Sequence, residues 1–133
     1  MNNILYLVWY EKEKKILNLI GQLTYDDIDE KYFFKYLNYE SNELQLFSKN
    51  GLFPGFMDIN QIYISPNLFL PILKRLPSKK RDDYSKIMAE YGFDEKSTDF
   101  EVLRQTKGAS CDDHFIFITE DEYYKLKNEI KYY

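Results

Sequence analysis

Apolar residues at 4–10 form an unbroken run in which Leu5, Leu7 and Trp9 alternate against Ile4, Tyr6, Val8 and Tyr10. Such a run predicts a strand covered on both faces. After a charged turn at 11–15, Leu17, Leu19, Gly21, Leu23 and Tyr25 alternate against Asn18, Ile20, Gln22 and Thr24, which predicts a half-buried strand hairpinned to the first. Gly21 on the apolar side of that strand points to a bulge or a close backbone approach, as at a barrel corner. An acidic turn at 26–30 separates it from a third strand, in which Tyr32, Phe34 and Tyr36 alternate with Phe33, Lys35 and Leu37.

Residues 38–60 carry weaker patterning: a short strand is expected at 44–47 and a Gly- and Pro-punctuated loop at 48–55. The segment QIYI at 61–64 predicts a short strand feeding the stretch around which the chain is organised, SPNLFLPILKRLPSKKRDDY at 65–84. Ser65 followed by Pro66 is a helix-start signal, because a serine oxygen accepts from orphan N–H groups and proline at the first position gives up no bond. Leu68, Phe69, Ile72, Leu73 and Leu76 then make an apolar stripe that should face the core. Pro71 should bend this helix or confine it to short pieces, and Pro77 should end it.

A second helix is predicted over 82–91, with Tyr84, Ile87, Met88 and Tyr91 on one face and Gly92 as its stop. Thr98 with Glu101 and Thr119 with Glu122 form two capping-box words. The first opens a helix that buries Phe100 and Leu103 and stops near Gly108; the second opens a final helix with Tyr123, Leu126, Ile130 and Tyr133 on one side. Residues 115–118 read as a strand between them. The fold class expected is α+β: one domain over residues 1–133, with a small antiparallel barrel-like sheet of about five strands and three to four helices.

Composition adds exclusions. Hydrophobic residues are 44% and charged residues 30% of the chain, which is globular, and no apolar run approaches a membrane span. The N-terminal apolar stretch has no basic region before it and no small-residue cleavage site after it, so a signal peptide is not expected. One cysteine, Cys111, excludes an internal disulfide, and one histidine, His114, excludes a His-based metal site, so the cytoplasm is the expected compartment. The 13 Tyr and 10 Phe reflect either the residue bias of an AT-rich genome or an aromatic binding surface. Net charge is −4 but uneven: residues 66–92 hold 6 basic against 3 acidic groups, whereas both flanks are acidic. Weak or no nucleic-acid binding follows from that balance.

Candidate chemistry is sparse. Cys111, Asp112, Asp113 and His114 combine catalytic residue types, yet a cysteine and a histidine three apart on a loop do not supply a nucleophile facing its base. There is no Gly-rich phosphate loop either, so no enzyme activity, cofactor or metal is expected. Two features suit a partner surface. The basic cluster Lys74, Arg75, Lys79, Lys80 and Arg81 is a partner contact, a solvated turn or a nucleic-acid contact. The loop GLFPGFM at 51–57 sets Leu52, Phe53, Phe56 and Met57 among turn residues, either to plug the barrel or to make an exposed apolar patch. Trp9 is expected in the core.

Several words of the chain, in order, resemble a known family. LYLVW, IGQLTY, the central LF with RLPSKKRDDY, and TDFEVLRQTKGASCDD are similar to the N-terminal region of bacterial proteins that carry a HIRAN domain further on. The layout also resembles the small N-terminal domain of HipA-type toxin kinases, the HipS-like antitoxin domain. There a vG-x-L strand, an F-x-Y-x strand, an FF-x-x-LLP helix end and a d-x-f-x-LL-x-x-x-G segment recur, matched here by IGQL at 20–23, FFKYL at 33–37, LFLPILKRLP at 68–77 and DFEVLRQTKG at 99–108. GASCDD stands where HipA has a D-x-x-GA-type turn, and the kinase or HIRAN module is expected on another chain. The resemblance implies a non-catalytic module that binds a kinase toxin or a DNA-binding antitoxin on another chain. The alternative is a small phage- or mobile-element-encoded inhibitor of a defence nuclease, acting through the acidic stretches 26–30 and 94–101. The first reading puts the contact on Leu52, Phe53, Phe56, Met57, Lys74, Arg75, Lys79, Lys80 and Arg81.

Overall fold

The computed structural model describes residues 3–37, 53–94 and 96–131. Strands β1 (Ile4–Glu11), β2 (Ile16–Asp26), β3 (Lys31–Tyr36), β4 (Tyr63–Ser65) and β5 (Phe115–Ile118) form one antiparallel sheet in the order β4-β3-β2-β1-β5. Four helices accompany it among the described residues: α1 (Leu70–Leu73), α2 (Tyr84–Glu90), α3 (Asp99–Thr106) and α4 (Glu120–Lys131). The α+β class and the strand count expected from the pattern are present, but the sheet stays open, with β4 and β5 as its edges. The strand expected at 44–47 lies outside the described residues.

Both hairpins turn through four residues whose last member, Lys15 or Glu30, takes a positive φ (55° and 53°). In the β1–β2 ladder Leu7 pairs with Gly21 but Val8 pairs with Leu19, so Ile20 is an extra residue, and its 2% exposure shows it turned into the core. The bulge expected beside Gly21 is therefore there, and it moves Leu17 and Leu19 off the face that Leu23 occupies.

The core-facing side of the sheet carries Leu5, Leu7, Leu23 and Phe34, which pack with Phe53 and Phe56, Ile72 of α1, and Phe100 and Leu103 of α3. The opposite face carries Val8 and Ile118, both buried, with Tyr6 against Tyr123 of α4. Thus β1 is covered on both faces, as its unbroken apolar run requires. Trp9 packs on the core edge-on to Phe115, its indole N–H donating to Glu11 Oε1 at 2.7 Å.

Helix starts divide into two kinds. Thr98 and Thr119 each accept from the N–H three residues on, and Glu101 and Glu122 return the bond, so both capping boxes form. Ser65 does not start a helix. Its backbone belongs to β4, paired with Tyr32, and its hydroxyl accepts from Asn67 N at 3.2 Å in a tight turn. The central helix is reduced to α1, with Pro71 in its first turn, where the missing N–H has no partner to lose. Gly92 does close α2, at φ 80°, although Tyr91 is 47% exposed instead of buried.

Candidate functional site

The two segments expected to form a partner surface are brought together, but the rings of Phe53 and Phe56 and the guanidinium of Arg75 point inward, while Lys74, Lys79, Lys80 and Arg81 stay exposed. Gly55 abuts Pro71 so closely that a Cβ there would lie 2.2 Å from Pro71 Cγ, and the Phe56 ring meets Phe69 edge-on at 5.1 Å. Phe56 also stacks on Phe34 at 4.2 Å, and Phe53 packs edge-on against Phe115 (5.1 Å) and Phe117 (5.8 Å). With 1% and 2% of their surface exposed, Phe53 and Phe56 are core residues and not partner contacts. The hydrophobic effect selects this outcome: two phenylalanines on a loop fill the end of a sheet whose strands leave room there. Leu52 lies outside the described residues.

Arg75 is likewise withdrawn from the expected surface. Its side chain is 10% exposed and its guanidinium donates to the Asp113 carboxylate, to Gly108 O at 2.9 Å and to Phe115 O at 3.4 Å. Among the other cations of the cluster, Lys79 lies 3.6 Å from Asp99, and Arg81 donates to both carboxylate oxygens of Asp83 at 2.9 and 3.1 Å. The Arg81 hydrogen bond holds the Asp83 carboxyl below its usual range. Three of the five cations are thus matched to carboxylates, which removes most of the positive field a phosphate backbone would need. Lys74 and Lys80 form no ion pair among the described residues.

What remains at the surface of these segments is a smaller group: Met57 at 70% exposure, Leu70 at 63%, and Lys74, whose N–H bonds to Leu70 O one helical turn back. Their backbone is anchored by the packing of the neighbouring Phe56, Phe69 and Pro71.

The Cys111–His114 stretch assembles no catalytic pair. Cys111 Sγ is 3.8 Å from Asp112 Oδ1, the His114 ring lies on Trp9 with centroids 5.1 Å apart, and no thiol–imidazole bond forms. Among the described residues no group of three or more His, Cys, Asp or Glu is arranged to hold a metal ion, and no helix is long and apolar enough to cross a membrane. A cleft of about 650 Å³ opens beside α2, lined also by Lys79, Phe93, Asp94, Lys96 and Ser97, and three of its polar groups are engaged: Ser97 Oγ accepts from Asp94 N, Asp94 Oδ1 from Lys96 N, and Lys79 faces Asp99.

A surface that pattern reading did not single out is the far side of the sheet, where Ile62 and Ile64 are each 58% exposed beside Phe33. The signal was present in YFFKY and QIYIS, since strands apolar at both parities have a second face to cover. Comparison with family models, curated proteins and solved structures found no match to this chain.

Proposed function

We propose that the chain is a non-catalytic protein-interaction module of the cytoplasm that binds and regulates or inhibits a partner protein, in the manner of a toxin–antitoxin accessory domain. The observation that carries this is that Met57 and Leu70 are 70% and 63% exposed next in sequence to the buried Phe56 and the core-packed Phe69, with Lys74, unpaired among the described residues, one turn from Leu70. An apolar centre with a cationic rim on an anchored backbone suits binding, because little backbone entropy is lost on docking. The contacts of Cys111 with Asp112 and of the His114 ring with Trp9, in place of a thiol–imidazole bond, support leaving chemistry out of the proposal.

The inhibitor reading, in which the partner is a defence nuclease, is favoured by a different observation. Asp27, Asp29 and Glu30 are exposed and form no ion pair among the described residues. The second acidic stretch gives it less support, because Asp99 faces Lys79 and Glu101 is spent on the Thr98 cap.

Pull-down with the full chain, followed by titration of the purified recovered protein, tests both. Leu70→Glu and Met57→Glu should each abolish capture while leaving the circular dichroism spectrum unchanged, whereas Asp27→Lys with Asp29→Lys should not. The opposite pattern would move the contact to the acidic turn. Turnover of ATP or nucleic acid that vanishes on Cys111→Ala or His114→Ala would overturn the non-catalytic assignment.

A further inference from the structure

Among the described residues, the outer face of the sheet is covered only in part. α4 lies over β1 and β2, with Val8 and Ile118 buried beneath it. Toward the other edge the register sets Thr24, Phe33 and Ile64 side by side on that same face, and Ile64 and Ile62 are each 58% exposed. A groove of about 450 Å³ runs from Ile62 past Phe33, Lys35 and Thr24 to Asp26 and Asp27 at the β2–β3 turn, so its Ile62 end carries one cation and its turn end the carboxylates.

The two sheet edges also differ. The outer side of β5 is occupied, since Phe117 N donates to Lys107 O at 2.8 Å and Phe115 O accepts from Arg75. Among the described residues, the outer side of β4 takes no backbone partner.

Charge narrows the occupant. Asp26 Oδ1 accepts from Ile28 N (2.9 Å) and Asp29 N (3.3 Å), which fixes the turn. Asp27, Asp29 and Glu30 are left exposed without ion pairs among the described residues, around an Ile28 that is 88% exposed. We propose that this groove and the β4 edge, unpaired among the described residues, take an extended segment of a partner protein that carries lysine or arginine next to bulky apolar residues.

An extended segment alternates its side chains, so one set can cover Phe33, Ile62 and Ile64 while cations reach Asp27, Asp29 and Glu30. Backbone bonds to the β4 edge then set its direction. A second copy of this chain would bring a like-charged turn, and a nucleic acid would be repelled. The site shares no residue with the Met57–Leu70 surface, so either can fail without the other.

The test is a titration of the ¹⁵N-labelled full chain with the capped peptide KVKVRVK, and with EVEVEVE as its charge-inverted counterpart, followed by amide chemical shifts. The basic peptide, to about millimolar concentration, should shift the amides of Thr24, Phe33 and Ile64. Asp27→Asn with Asp29→Asn should weaken binding at least about threefold, and Ile64→Asp should remove it, with the rest of the spectrum unchanged in both. Equal shifts with the acidic peptide, shifts elsewhere or none, or shifts that follow protein concentration without peptide would each overturn the proposal.

Discussion

Arg75, in the turn that leaves α1, donates its Nη2 to the Asp113 carboxylate just ahead of β5 and lies over the Phe53 ring at 5.0 Å. With Gly108 O and Phe115 O as further acceptors, one guanidinium ties the central turn to the approach of the last strand. Arg75→Ala should therefore cost about 3 kcal/mol in urea unfolding, because Asp113 loses its partner in a half-buried site. Arg75→Lys should recover little, since an ammonium cannot present a planar fork to three acceptors. A loss under about 1 kcal/mol would assign the cluster to solvent.

Phe53→Ala and Phe56→Ala should each cost about 3 to 5 kcal/mol, the range for emptying a buried aromatic site. Met57→Ala and Leu70→Ala should stay within about 0.5 kcal/mol of the parent, as exposed substitutions do. Thermal melting of the four variants separates core from surface on the same two segments.

The difference between what was legible and what was not follows the range of the interactions. The capping boxes at Thr98 and Thr119 are complete within four residues, so their words suffice. The alternation in β2 and the glycine inside it likewise disclose the hairpin and its bulge. Ser65 misleads because the same hydroxyl caps a turn as readily as a helix, and pairing of β4 with β3, some thirty residues earlier, decides between them. The burial of Phe53 depends on Phe115 and Phe117, and the neutralisation of Arg75 on Asp113, all distant in sequence. Local composition shows the apolar loop and the basic cluster without showing which way either faces.

Alkaline pH should destabilise the fold through two tyrosines. Burial pushes the Tyr32 phenol up to about 12 and raises Tyr36 as well, whose Oη donates to Phe56 O at 2.5 Å. A folded-state value above the ordinary 10.0 means the neutral phenol is favoured by folding, so its contribution is full below pH 10 and is lost as pH rises through the raised value. Urea midpoints should fall over that window. Tyr36→Phe should flatten the fall and lower stability at neutral pH by about 1 kcal/mol.

Acid should act through Glu122. Burial raises its carboxyl, but hydrogen bonds from Lys107 and from Thr119 outweigh that and hold it below the usual 4.5. The stabilisation is therefore present above pH 4.5 and lost as pH falls through the lowered value. Glu122→Gln keeps an acceptor for Thr119 N but not the charge facing Lys107, so it should destabilise near neutral pH and converge with the parent in acid. A difference that persists at low pH would mean that cap geometry, not charge, is what the carboxylate supplies.

Gly21→Ala should be among the costly small substitutions in this protein, although alanine normally suits a strand better than glycine. A Cβ at this position would lie 2.7 Å from Phe34 Cζ and 3.0 Å from Lys35 O. Neither neighbour yields easily: Phe34 is stacked on Phe56 and edge-on to Tyr36, and residue 35 belongs to the β2–β3 ladder. Overpacking of this kind costs about 1 to 3 kcal/mol. Gly92→Ala is the control, since nothing lies within 4 Å of its Cβ and the strain comes only from a φ of 80°, which costs about 1 to 2 kcal/mol. Phe34→Leu, which removes the ring atom in the way, separates the two contacts at Gly21. If the ring sets the penalty, a double-mutant cycle should show Gly21→Ala costing at least about 0.5 kcal/mol less in the Phe34→Leu background; an unchanged cost would place the obstacle at the Lys35 carbonyl and make the close approach of the two strands, not the aromatic core, the reason for a glycine beside the bulge.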